Sequence, residues 1–171
     1  MKNVKVTLKK ISFYERMSEE TNCFAANLYI NGKLVGEAKN DGQGGCTTYY
    51  GNSKEDNEII RQAEAYFKSL PMVKPDGYTF TFQPSLEYAI DEQFEAYLKA
   101  KEEKKMLKLM EKAVLFGKPN ANQYHIIKTR KPLKEYPETA LQKFIDDVKK
   151  QHCTDGVIIL NKNLEKLGIT I

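Results

Sequence analysis

Between two apolar runs, the dipeptide Asn31-Gly32 constrains this chain more than any other feature of its sequence. Both residues accept positive φ, which a two-residue hairpin turn between right-twisted strands demands. Residues 23–30 are therefore expected as one strand and 33–39 as its antiparallel return, with Leu28 opposite Val35 and Tyr29 opposite Leu34. Apolar residues then fall on both faces: Phe24, Leu28, Ile30 and Val35 on one, Ala25, Tyr29, Leu34 and Ala38 on the other. That pattern predicts a sheet covered at least partly on both sides. Upstream, Val4, Val6 and Leu8 alternate with Lys5, Thr7 and Lys9, and the phase breaks at Ile11 and Phe13. A further strand with a bulge near Lys9-Lys10 is expected.

After the hairpin the periodicity changes to helical. Residues 53–70 place Ile59, Ile60, Ala63, Tyr66, Phe67 and Leu70 on one stripe, behind a Ser53…Asp56 variant of the capping box. Pro71 and Pro75-Asp76-Gly77 end that helix, and Tyr78, Phe80 and Phe82 alternate with threonines as a short strand would. Ser85 to about Ala113 reads as one long helix, roughly 43 Å at ~1.5 Å per residue. Its middle, 99–105, contains Ala100 and otherwise only Lys and Glu. No core can include those turns, so the expected internal boundary lies there: 1–98 as an N-terminal α+β core, 99–171 as the helix's second half with a C-terminal ββαβ unit. In the latter, Val114-Leu115-Phe116 and residues 123–129 predict a hairpin across Gly117-Lys118-Pro119-Asn120-Ala121-Asn122, and 137–151 an amphipathic helix. Residues 157–160 predict a short, fully buried strand, and Gly168 stops a last helical turn. The fold class expected is α+β.

Composition narrows the function classes. With 41% hydrophobic residues, 10 Tyr and 8 Phe, the chain can bury a core. Its net charge of +4 permits, without demanding, an acidic partner. Cys23, Cys46 and Cys153 are odd in number and without a C-x-x-C pair, which suits a reducing cytoplasm and supports neither disulfides nor zinc. No apolar run approaches the ~20 residues needed to span a bilayer, so no membrane partner is expected.

The segment to examine for function is 38–51, which holds four of the ten glycines. Its candidate binding residues are Asn40, Asp41, Gly42, Gly44, Gly45, Thr47, Tyr49 and Tyr50. Three readings stay open here. Consecutive N–H groups could form a nest for a phosphate or carboxylate, helped by Ser53 and the next helix. The loop could instead bond to itself through Asx-turns at Asn40 and Asp41, or touch a protein through Tyr49 and Tyr50. Neither a Walker A nor a Rossmann pattern fits. Cys46 as a nucleophile would need a base, and only His125 and His152 exist, both far along the chain. His152-Cys153 reads as a polar helix end. Adjacent carboxylate pairs such as Glu19-Glu20 point apart, so no catalytic set, metal site or cofactor is expected. A secondary basic face, Lys101, Lys104, Lys105 and Lys108, continues through Lys112, with Lys128, Arg130, Lys131 and Lys134 further on. Interleaved Glu102, Glu103 and Glu111 dilute it.

Residues 17–47, MSEETNCFAANLYINGKLVGEAKNDGQGGCT, together with KAVLFGK (112–118) and VIILN (157–161), resemble small proteins of bacteriophages and mobile elements. In those, a strand hairpin likewise runs into an Asn-Asp-Gly-x-Gly-Gly loop. The resemblance implies a bacterial host cytoplasm and carries no activity or site residue. The function expected is non-catalytic binding of a host protein, in an inhibitory, anti-defence or host-takeover role. A nucleotide or nucleic-acid binder using the glycine loop is the alternative, and a Cys46-dependent enzyme the third reading.

Overall fold

A computed structural model describes residues 3–74, 79–119, 121 and 123–171. The chain is α+β and divides into two compact units, Met1–Leu98 and Lys99–Ile171. The first contains β1 (Val6–Phe13), β2 (Phe24–Ile30), β3 (Lys33–Asn40), β4 (Thr48–Gly51) and α1 (Lys54–Ser69). A 25-residue helix, α2 (Leu86–Met110), contains the division between units. The second unit continues with β5 (Ala113–Gly117), β6 (His125–Lys128), α3 (Glu138–His152) and β7 (Ile158–Ile159). The predicted N-terminal antiparallel sheet with its packed helix, the long helix and the C-terminal hairpin–helix–strand unit are all present.

The first sheet is antiparallel in the order β1-β2-β3-β4. Asn31 and Gly32 turn it with φ of 51° and 84°, and the expected irregularity falls between Lys9 and Ser12, with Lys10 at φ 52°. The register differs from expectation in one place. Tyr29 faces Leu34 as predicted, but Leu28 faces Gly36, because a bulge at Val35 inserts a residue. The bulge reverses the phase of β3, so Val35, Ala38 and Asn40 all turn inward while Glu37 and Lys39 turn out. The sheet is accordingly covered on one face rather than two. Leu34 is exposed on the other, and the Lys9 ammonium lies over the Tyr29 ring, 4.4 Å from its centroid. On the inner face Leu28, Ile30 and Val35 pack with Ile60 and Ala63 of α1 and with Leu86, Ile90 and Phe94 of α2. Phe24 stacks on Phe94 at 4.1 Å. A Cβ on Gly36 would collide with the carbonyl oxygen of Tyr50, so only glycine lets β4 close on β3 there.

Four further expectations are corrected. Residues 48–51 form β4, since Thr-Tyr-Tyr favours extended backbone and β3 offers an open edge. The strand expected around Phe80 is reduced to one bridge, Val73 to Phe82; Phe80 is exposed, and Pro75, Asp76, Gly77 and Tyr78 lie outside the described residues. Helix α2 stops at Met110, because Ala113 already pairs with Lys128 in β5–β6. β7 is an edge strand in a sheet ordered β6-β5-β7, so Ile159 is buried while Ile158 is 47% exposed. Asn120 and Asn122, in the connection between β5 and β6, lie outside the described residues.

The second unit packs Val114, Leu141, Ile145, Val148 and Leu164 into its own core. Asn161 is a polar centre within it, only 2% exposed. Its Oδ1 accepts from the Leu115 N–H at 2.7 Å, and its Nδ2 donates to the carbonyls of Ala113 (2.9 Å) and Met110 (3.4 Å).

Candidate functional site

Strand β3 ends on Asn40, whose side chain points to the buried side of the sheet and organises the glycine loop. Its Oδ1 accepts from the Thr21 hydroxyl at 2.8 Å and from the Gly42 N–H at 2.9 Å. Its Nδ2 donates to the Gly45 carbonyl at 2.9 Å and to Thr47 Oγ1 at 3.4 Å. The Gly42 carbonyl in turn accepts from three successive N–H groups, those of Glu19, Glu20 and Thr21, at 3.0, 3.0 and 3.3 Å. Gly42 has φ 85°, and a Cβ there would strike the Met17 carbonyl. The loop is thus laced to the segment before β2 by its own polar groups.

This lacing takes up three of the loop's amides. The N–H groups of Gly42, Gly44 and Thr47 donate to Asn40 Oδ1, Thr21 Oγ1 and Glu87 Oε1 respectively. Ser53 caps α1 instead, accepting from the Asp56 N–H at 3.1 Å. The surroundings of the loop carry negative charge. Glu87, Asp91 and Glu95 recur every four residues on one face of α2. With Glu20 they line a cleft of about 350 Å³ beside Gly45, Cys46 and Thr47, and among the described residues no lysine or arginine lines it. The Thr47 hydroxyl donates to Asp91 at 2.6 Å, and Asn22 donates to Glu95 at 3.3 Å. Burial pushes the Asp91 carboxyl above its usual range; the Thr47 hydrogen bond opposes this, and the charges of Glu87 and Glu95 add to it.

The loop residues Asn40, Gly42, Gly44, Gly45 and Thr47 are therefore brought together. Asp41 is exposed at the same turn. The two tyrosines divide. Tyr49 packs against the core and donates to Glu64 at 2.8 Å, and burial raises its pKa. Tyr50 is exposed on the sheet's other face, where its hydroxyl donates to Glu37 at 2.6 Å, away from the cleft. Of the cleft's acids, only Glu20 stands in one of the adjacent carboxylate pairs considered above. The four-residue spacing of Glu87, Asp91 and Glu95 was the available signal, since it sets one helix face.

Cys46 is an exposed free thiol, and its unit contains no histidine. Both histidines belong to the second unit, where His125 and His152 each stack on Phe116, at 5.3 and 4.9 Å. His152 thus ends α3 against an aromatic ring. The basic residues Lys101, Lys104, Lys105 and Lys108 are exposed on the second-unit part of α2. Among the described residues no group of three or more His, Cys, Asp or Glu is placed to hold a metal ion, and no helix is long and apolar enough to cross a membrane. No protein-family profile, curated protein or solved structure matches the chain.

Proposed function

We propose that this chain is a non-catalytic binding protein whose acidic cleft receives a lysine or arginine side chain of a partner protein. The observation that carries this reading is the set Glu20, Glu87, Asp91 and Glu95 around one cleft that, among the described residues, has no basic side chain. Low-dielectric walls of Phe24 and Phe94 strengthen the field that these carboxylates project. A cleft of about 350 Å³ lies within the range of side-chain and small-ligand pockets. The loop is the rigid rim of that cleft rather than the recognising surface. The likeness of residues 17–47 to phage and mobile-element proteins supports a bacterial host protein as the partner, with inhibition or evasion of a host defence as the role.

The nucleotide reading of the same loop is weaker, because three of its amides donate to side chains of the chain itself and the nearest side chains repel phosphate. A Cys46 nucleophile has no histidine in its own unit to serve as its base.

Cys46 sits on the rim and offers a direct probe. A photo-crosslinker attached there, in a Cys153→Ser background, is expected to capture one stoichiometric host protein through a Lys- or Arg-rich segment. The crosslink should vanish in Glu87→Gln/Asp91→Asn. Capture that persists unchanged in the double variant contradicts the cleft as the site.

A further inference from the structure

The two units carry opposite charge. Residues 1–98 hold 11 Lys and Arg against 14 Asp and Glu, net −3, and residues 99–171 hold 16 against 9, net +7, which together give the chain's +4. The surplus of the second unit is focused. Lys105 and Lys108 of α2, and Lys112 just after it, converge with Lys128 of β6 around a groove of about 460 Å³. Leu109 and Thr129 complete its lining. The backbone holds the two sides together: the Thr129 N–H and hydroxyl both donate to the Lys112 carbonyl, at 2.9 and 3.0 Å.

The glutamates interleaved in the sequence do not neutralise this groove. Glu103 pairs with Lys162 at 3.1 Å, and Glu111 lines a separate cavity with Lys134 and Lys166. Among the described residues only Glu102 reaches a groove lysine, Lys105, at 3.5 Å, and both side chains are exposed enough for the pair to be weak. Among the described residues no carboxylate forms an ion pair with Lys108, Lys112 or Lys128.

We propose that this groove is a sequence-independent nucleic-acid site, its four ammonium groups contacting phosphates of a duplex backbone. Lys105 and Lys108, three residues apart on α2, are offset by roughly 4.5 Å along its axis, a spacing suited to a polymer bearing charge at short, regular intervals. Lysine meets phosphate as a point charge, whereas base edges are read by bidentate arginine, and this unit has one arginine, Arg130. Among the described residues no aromatic side chain lines the groove, so unpaired bases find nothing there to stack on, which favours duplex over single strand. An anionic membrane would need a broader apolar face than Leu109 and the lysine stems supply.

The test is fluorescence anisotropy of the full chain with a labelled 20-base-pair duplex between 50 and 200 mM salt. Four phosphate contacts predict a slope of log K on log salt near −3.6, or roughly 100-fold weaker binding across that range. Lys108→Gln/Lys112→Gln/Lys128→Gln should flatten the slope to about −1. Lys118→Gln/Lys143→Gln/Lys150→Gln removes the same charge from exposed positions elsewhere in the unit and should leave the slope unchanged. A shuffled duplex should bind equally well. Equal losses in both triple variants, or absence of duplex binding, overturn the proposal. So does preferential binding of polyglutamate, of single strands or of phosphatidylserine vesicles.

Discussion

A single buried amide does most to fix the loop. Asn40 satisfies two donors and two acceptors at once, so Asn40→Ala strands the Thr21 hydroxyl, the Gly42 N–H and the Gly45 carbonyl together. Its expected cost is about 1–3 kcal/mol, read from the shift of the denaturation midpoint. Asn40→Asp keeps the accepting oxygen but turns the donor into a carboxylate facing the Gly45 carbonyl, and should recover only part of the loss. The glycines separate in the same way. Gly42→Ala meets both positive φ and the Met17 carbonyl and should cost ~1 kcal/mol or more. Gly45→Ala has ordinary φ and nothing within 4 Å of the new Cβ, and should leave stability unchanged. If Gly45→Ala destabilises as much as Gly42→Ala, the loop geometry given above is wrong.

At the scale of elements, α1 and α2 respond to pH in opposite senses. Asp56 in the first turn of α1 is held below its usual range by its hydrogen bond from Lys33 at 2.8 Å, with Ser53 helping. Its contribution is present above the unfolded pKa, near 3.9, and is lost as pH falls through the lower folded value. Ser53→Ala should cost about 1 kcal/mol by removing the cap of α1, measured by urea denaturation. Asp91 of α2 behaves the other way. Its folded pKa is raised, so its charge costs stability above that folded value, and the cost is relieved as pH falls towards ~3.9. Asp91→Asn keeps an acceptor for the Thr47 hydroxyl and should therefore raise the melting temperature at neutral pH. That gain should shrink to nothing near pH 4. A variant less stable than the parent at neutral pH would contradict this placement of Asp91.

The elements legible in the sequence are those whose signal is local. Asn31-Gly32, the stripe of α1 and the 99–105 polar break depend on neighbours a few residues apart. What escaped depends on distant pairing. The bulge at Val35 exists because Gly36 must sit beneath Tyr50, and β4 exists because β3 has an edge to extend. The strand signal at Phe80 was local, but among the described residues it finds only the Val73 bridge. The cleft was hidden for the same reason, since Thr47 and Asp91 are 44 positions apart in the chain.

Over the whole molecule, an acidic first unit and a basic second unit divide the binding work proposed above: a cationic side chain for one, a phosphate backbone for the other. The glycine loop links to the first task by holding Thr47, and through it Asp91, in place. Stability and binding must then separate at Asp91, because the carboxylate that is costly to bury is the one offered to the partner. Titration of the 15N-labelled chain with the peptide Gly-Arg-Gly-Arg-Gly tests this most directly. Saturable shifts are expected at the amides of Cys46 and Thr47, absent with Gly-Glu-Gly-Glu-Gly and lost in the more stable Asp91→Asn. Unperturbed Cys46 and Thr47 amides, or equal shifts in Asp91→Asn, would contradict a cation-binding cleft.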